Sequence, residues 1–170
     1  MIIRTEESKD YRDVYLLNYE AFGGRDDESR LIERIRESIY FLPELSLVAE
    51  ENGEIVGHIL FSRAEVIDGE VKKDVIVLAP VAVKPDKQRL GIGGRLIQEG
   101  LQRCRDMGYG LALLIGHPSY YPKFGFRPAR PYGLELRQFE VPDDVFMVCE
   151  VIDGELKKAK GELRYPKTFF

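Results

Sequence analysis

Three glycines stand within four positions at Gly91, Gly93 and Gly94, in the string QRLGIGGRL, and a run of helical periodicity follows directly. The first turn of a helix presents backbone N–H groups without partners and the positive end of the helix dipole, so an anion is stabilised there. Glycines allow that backbone to approach an anion with no side chain in the way. Lys84, Lys87, Arg89 and Arg95 add positive charge nearby. The competing reading is a helix packed closely on a sheet, with the basic residues simply solvated. Spacing excludes two phosphate loops: no G-x-x-x-x-G-K-S/T string exists, and Leu96 stands where a G-x-G-x-x-G fingerprint needs its third glycine.

Other side chains with chemistry to offer are few. Tyr120 and Tyr121 lie in the string HPSYYPKFGF, and a phenol titrating near about 10 is a proton donor at neutral pH. Pro122 disfavours the α region at Tyr121, so the short helix expected here starts at the proline or is kinked there. Cys104 and Cys149 stand alone, with no C-x-x-C and no partnering histidines, which supports neither a disulfide framework nor a zinc site. A general base is not legible. His58 lies in a strand pattern and reads as structural, His117 ends a strand, and nothing distinguishes Glu20, Glu28 and Glu50.

The elements that position these residues follow from periodicity. A strand over MIIRT opens the chain, and a helix with Tyr11, Val14, Tyr15, Asn18 and Phe22 on one face follows, with Ser8 available as N-cap. A second helix fits Leu31, Ile32, Ile35 and Ile39, capped by Asp26 or Asp27. The strands LSLVAE and IVGHILFS flank Asn52-Gly53, a hairpin signal because both central positions of a type I′ turn need positive φ. The near copies VIDGEVKK (66–73) and VIDGELKK (151–158) read as two independent D-G hairpins and not as a repeat. VIVLAPVAV (75–83) is apolar on both faces, as a central strand is, and Pro80 predicts a bulge or splay near its middle. A helix over about 91–107 buries Ile92, Leu96, Ile97, Leu101 and Cys104 and stops at Gly108, and the strand LALLIG comes next. The remainder reads as further strands of mixed or antiparallel pairing. The order is β-α-α-β-β-β-α-β-(short α)-β-β, an α/β (α+β) fold around one mixed sheet.

One domain over 1–170 accounts for the length, with 1–130 as core and 131–170 as C-terminal strands. A net charge of −4 argues against a general nucleic-acid binder. The longest apolar run has nine residues, against roughly 20 for a membrane span. With no signal-peptide pattern and unpaired cysteines, a cytoplasmic location is expected.

The segments LAPVAVKPDKQRLGIGGRLIQEGL and LALLIGHPSYYPKFGF together resemble the GNAT superfamily of acyl-CoA-dependent N-acetyltransferases. Gln88, Arg89, Leu90, Gly91, Ile92 and Gly93 match its Q/R-x-x-G-x-G/A signature, and Tyr121, Phe124, Gly125 and Phe126 match its tyrosine before a G-F ending. The likeness is close over 75–126 and elsewhere holds only in the order of elements. It implies a mixed central sheet flanked by helices, with splayed central strands. Backbone from about Arg89 to Arg95, Gly94 included, would hold the pyrophosphate of acetyl-CoA, the co-substrate. The strand around Val81, Ala82 and Val83 would pair with the pantetheine arm, and a backbone N–H at about Val81 would face the oxyanion. Tyr121 would be the general acid, with Tyr120 the lesser candidate. No metal is implied. The acceptor would be a primary amine of a small molecule or peptide, contacting the first two helices and their junction. Neither nucleic acid nor membrane is an expected partner, and the oligomeric state is open, a homodimer included. A non-catalytic acyl-CoA-binding regulatory module is the alternative reading.

Overall fold

The structure, a computed structural model, describes residues 1–170. Nine strands form one sheet: β1 (Ile2–Thr5), β2 (Phe41–Glu51), β3 (Glu54–Asp68), β4 (Val71–Val83), β5 (Leu111–Ile115), β6 (Phe126–Pro128), β7 (Leu134–Leu136), β8 (Phe146–Glu150) and β9 (Gly161–Arg164). Their order is β1-β2-β3-β4-β5-β8-β6, with β9 joined to β3 and β7 to β9. Helices α1 (Tyr11–Ala21) and α2 (Asp27–Arg36) lie on one face, and α3 (Ile92–Asp106) lies on the other. A short α4 (Glu155–Lys158) precedes β9.

Alternation along β3 shows how the faces divide. Ile59 and Phe61 join the cluster under α3, Leu60 joins the one under α1 and α2, and Ala64 and Val66 join a third with β7, β8 and β9. α3 is held by Ile92, Leu96, Ile97 and Cys104, all buried, at helical spacing. Burying one such aliphatic side chain contributes about 1.5–3 kcal/mol. Gly108, at φ 87°, ends the helix as expected. The Asn52-Gly53 hairpin is present, with φ of 51° and 77° at its two central residues.

Three sequence expectations change. Ser8 does not cap α1: it opens a 3-10 turn, and the Glu7 and Asp10 side chains and backbones cap one another instead. Ile39 lies beyond the end of α2 and is 76% exposed. Only the first of the two D-G strings is a hairpin. Asp68 faces Val71 across it, whereas Gly154 in the second string is left-handed and starts α4. The difference lies in partners, because Glu150 accepts the Leu156 N–H at 3.0 Å and holds the second string as a helical turn. The strands after residue 131 are built into the same sheet, since β9 pairs with β3 over Glu65–Ile67.

The strand VIVLAPVAV is β4, and Pro80 does disrupt it. Ile59 pairs with Val81 and Phe61 with Leu78, so Ala79 and Pro80 both lie opposite Leu60 in a β-bulge. β4 and β5 are parallel and pair only at Ile76–Ala112 and Val77–Leu113. Beyond those pairs the two strands part, and the gap opens beside the bulge.

Candidate active site

The gap between β4 and β5 leaves backbone groups of β4 without a strand partner. The Lys84 N–H donates to the Val56 carbonyl at 2.9 Å, and the register runs unbroken through Gly57–Val83, His58–Ala82 and Ile59–Val81. Antiparallel alternation then turns the Ala82 N–H and carbonyl toward β3 and those of Val81 and Val83 toward the gap. Of the three β4 residues proposed to pair with pantetheine, Ala82 therefore has its backbone engaged by β3. Gln88 reaches back and donates its Nε2 to the Val83 carbonyl at 3.1 Å, tying the loop to the strand.

The loop leads into α3 through two left-handed residues, Arg89 at φ 66° and Gly91 at φ 86°. Gly91 is the N-cap and offers no side chain to cap with. The first helical bond runs from Arg95 N–H to the Gly91 carbonyl, so no acceptor within the chain meets the N–H groups of Ile92, Gly93 and Gly94. A cleft of about 590 Å³ lies over this helix start, lined by Val83, Gly91, Ile92 and the two following glycines, with Tyr120 and Phe124 opposite. Arg89, Arg95 and Lys123 also line it and no acid does. Lys123 is held there with its Nζ 4.4 Å above the Tyr120 ring. Leu90 projects into solvent at 70% exposure.

Two of the glycines serve a second purpose that their spacing does not announce. A Cβ on Gly93 would sit 3.1 Å from the Tyr120 hydroxyl, and one on Gly94 would sit 3.1 Å from Phe124 Cζ. Both make room for the aromatic wall of the cleft. Close packing and anion access are thus both served by this segment, Gly91 by its conformation and Gly93 and Gly94 by their missing side chains. Gly93→Val is expected to push Tyr120 into the cleft and weaken coenzyme A binding at least about tenfold, roughly 1.4 kcal/mol, by calorimetry.

Tyr121 does not line this cleft; Tyr120 does. The turn Tyr121–Phe124 is 3-10, and it begins at Tyr121 despite Pro122. The Tyr121 ring packs against Gly116, whose added Cβ would lie 2.4 Å from its Cε2. It meets Tyr120 and Phe126 edge-on at centroid distances of 5.1 and 5.9 Å. Tyr121 is thus fixed by the residue just after β5, next to the gap. Burial, with a smaller push from Tyr120, raises its phenol to about 12.

The remaining candidates separate. Glu50 is paired with Arg4 at 3.2 Å, far from the gap on β2. Glu20 lines a smaller cleft between α1 and the Asn52-Gly53 turn. Glu28 is half-buried, and its Oε2 is buried with no partner. His117 is exposed just beyond β5. His58 is fully buried in a network that sequence patterning did not reveal. Arg36 bonds Glu6 twice, at 2.6 and 3.2 Å; Ser46 Oγ donates to Glu6 at 2.9 Å and lies 3.2 Å from His58 Nε2. Burial and the Arg36 charge lower His58 to about 3. Its nitrogen, 3.7 Å from Glu6, is therefore that of a neutral ring and no ion pair forms there.

A family model described as an acetyltransferase (GNAT) domain matches residues 2–129. The uncharacterised N-acetyltransferase YjhQ of Escherichia coli K12 is 40% identical over 123 residues, covering 72% of this chain and 67% of that protein. The crystal structure of the GNAT N-acetyltransferase YhbS of Escherichia coli in complex with CoA superposes with a TM-score of 0.90 at 27% identity, over 99% of this chain and 91% of that one. A GNAT acetyltransferase of Brucella melitensis in complex with acetyl-CoA gives 0.80 at 29% identity, over 99% and 97%. The residues at hand fit such a co-substrate: unpartnered N–H groups and cations at the start of α3, and free strand groups in the adjoining gap. The chain belongs to the GNAT family and is an acetyl-CoA-dependent N-acetyltransferase.

Proposed function

We propose that this enzyme acetylates a primary amine of a small molecule or peptide by direct attack, with Tyr121 as the general acid. The observation that carries this reading is the continuity of two features: the partnerless N–H groups that start α3 and the β4–β5 gap lined by Val81 and Val83. Together they form one path for a phosphate-bearing, amide-bearing chain that ends at the bulge.

Acetyl-CoA, when bound, supplies an activated thioester. The chain's own residues do the rest. The amides of Ile92, Gly93 and Gly94, with Arg89, Arg95 and Lys123, hold the phosphates; Gln88 and Leu90 shape the loop before them. Val81 and Val83 orient the amide-bearing arm. The Val81 N–H, turned into the gap by the bulge, donates to the developing oxyanion, a role worth roughly 3 kcal/mol in other enzymes. Tyr121, kept protonated by burial, gives its proton to the departing sulfur. No nucleophilic side chain is required, because the neutral amine attacks the thioester carbon itself, the C–S bond breaks, and the proton the nitrogen sheds passes through solvent and restores the phenol. Free, buried thiols at Cys104 and Cys149 suit a reducing compartment, and the proposal places the enzyme in the cytoplasm.

The test is thiol release from acetyl-CoA in the presence of amines grouped as peptide N-termini, lysines, polyamines, aminoglycosides and arylalkylamines. Release that depends on one primary-amine class is expected. Tight acetyl-CoA binding with no amine-dependent release from any class would favour the non-catalytic module.

A further inference from the structure

The wall opposite the start of α3 carries two adjacent phenols, and they face different neighbours. Tyr121 packs behind it, against Gly116 and Phe126. Tyr120 lines the cleft itself, together with Gly93, Val83 and Lys123. The Tyr120 hydroxyl lies 3.1 Å from where a Cβ on Gly93 would stand, and Val83 Cγ2 lies 3.7 Å from the same point. On a helix the Cα–Cβ bond tilts toward the N-terminus, so the place Gly93 leaves open is on the side of the partnerless N–H groups. A phenolic oxygen, the first-turn amides and the end of β4 thus meet where the phosphate cradle passes into the β4–β5 gap.

Nothing in the chain uses that hydroxyl. Tyr15 donates to Asp26 and Tyr132 accepts from Arg127, but the Tyr120 oxygen makes no hydrogen bond. Its ring, by contrast, is held firmly. Tyr121 and Phe124 meet it edge-on at centroid distances of 5.1 and 5.3 Å, and Lys123 Nζ stands 4.4 Å above its face. Partial burial raises the phenol, so it is a donor at neutral pH. A braced ring that presents a free O–H into a cleft with three cations and no acid is suited to an anionic acceptor.

We propose that Tyr120 binds the co-substrate through its hydroxyl, which donates a hydrogen bond to the phosphate that carries the pantetheine arm. The inference rests on the acetyltransferase reading and adds a neutral side chain to the amides and cations that hold the phosphates. Position decides which phosphate it meets. Val83 belongs to the strand that orients the arm, so the phosphate beside Val83 is the one joined to the arm, and those on the adenosine side lie farther out. The two phenols then divide the work: Tyr120 holds the phosphate and Tyr121 supplies the proton. The contact favours thioesters of phosphorylated pantetheine over those of pantetheine itself.

The test compares the wild type with Tyr120→Phe, which keeps the ring and its packing and removes only the hydroxyl. Coenzyme A, 4′-phosphopantetheine and pantetheine are each titrated into both proteins and followed by amide chemical shifts. Tyr120→Phe should weaken coenzyme A and 4′-phosphopantetheine about tenfold or more, the scale of a lost hydrogen bond to a charged group, while pantetheine stays within about twofold. Undiminished coenzyme A affinity in the variant would overturn the proposal. So would an equal loss with pantetheine, which would make the hydroxyl structural, or a loss with coenzyme A alone, which would set it against the adenosine phosphates. Failure of the wild type to bind coenzyme A would strike at the acetyltransferase reading instead.

Discussion

Replacing Tyr121 by phenylalanine is expected to lower kcat by about 100-fold or more, the usual scale of a lost general acid, while the acetyl-CoA dissociation constant stays within about twofold. The separation follows from position. Tyr120, not Tyr121, lines the cleft over α3, so the changed ring stands behind the phosphate-binding wall and not in it. Tyr121 is braced by Gly116, Tyr120 and Phe126, and phenylalanine retains those ring contacts. Only the hydroxyl is lost. Because burial raises that hydroxyl to about 12, ionisation of Tyr121 should impose no falling limb on kcat below about pH 11. Steady-state kinetics from pH 6 to 10 with calorimetry on both proteins checks each part. Unaltered turnover in the variant would remove Tyr121 from the mechanism and leave Tyr120 as the phenol to test.

The second large effect concerns stability. His58 is neutral in the folded state, with a value near 3, against 6.5 for an unperturbed imidazole. Above the unfolded value both states are neutral and the full stability is present. Below it the unfolded chain binds a proton that the folded chain refuses, so stability falls as pH drops from 6.5 toward 3, by about 1.4 kcal/mol per unit. Between pH 7 and 5 the loss should be about 2 kcal/mol. The Glu6 carboxylate does not rescue the charged ring, because Arg36 and Ser46 already engage it. Urea titrations at pH 5 and 7 should show the slope in the wild type and little of it in His58→Gln. An equal slope in both proteins would mean that another group sets the acid limb. Arg36→Met should be destabilising at both pH values, by about 3–5 kcal/mol, since it strands the buried Glu6 carboxylate.

Much of the site was legible from residue order because its parts are local. Gly91 needs positive φ, Pro80 cannot join a ladder, and both facts are written in single residues. The bulge, the splay and the open helix start follow from them. What was hidden depends on contacts between distant segments. The spacing of Gly93 and Gly94 says nothing of Tyr120 and Phe124, about thirty residues on, which need the space their missing side chains leave. The string VIDGELKK reads as a hairpin because its twin is one, and only Glu150 beneath it makes it helical. His58 reads as structural and is, but the Glu6–Arg36–Ser46 network around it joins three segments distant in sequence, with no spacing to announce it. Glu28 stood level with Glu20 and Glu50 until the burial of its Oε2 set it apart, which no spacing announces.

The central claim is that the start of α3 and the β4–β5 gap form one continuous acyl-CoA path ending at Val81. Amide chemical shifts recorded on titration with coenzyme A, and then with acetyl-CoA, test it most directly. The claim predicts that coenzyme A moves Ile92, Gly93, Gly94 and Val83, and that acetyl-CoA adds a distinct shift at Val81 and Tyr121. Saturable binding that leaves Gly93, Gly94 and Val81 unmoved would contradict it.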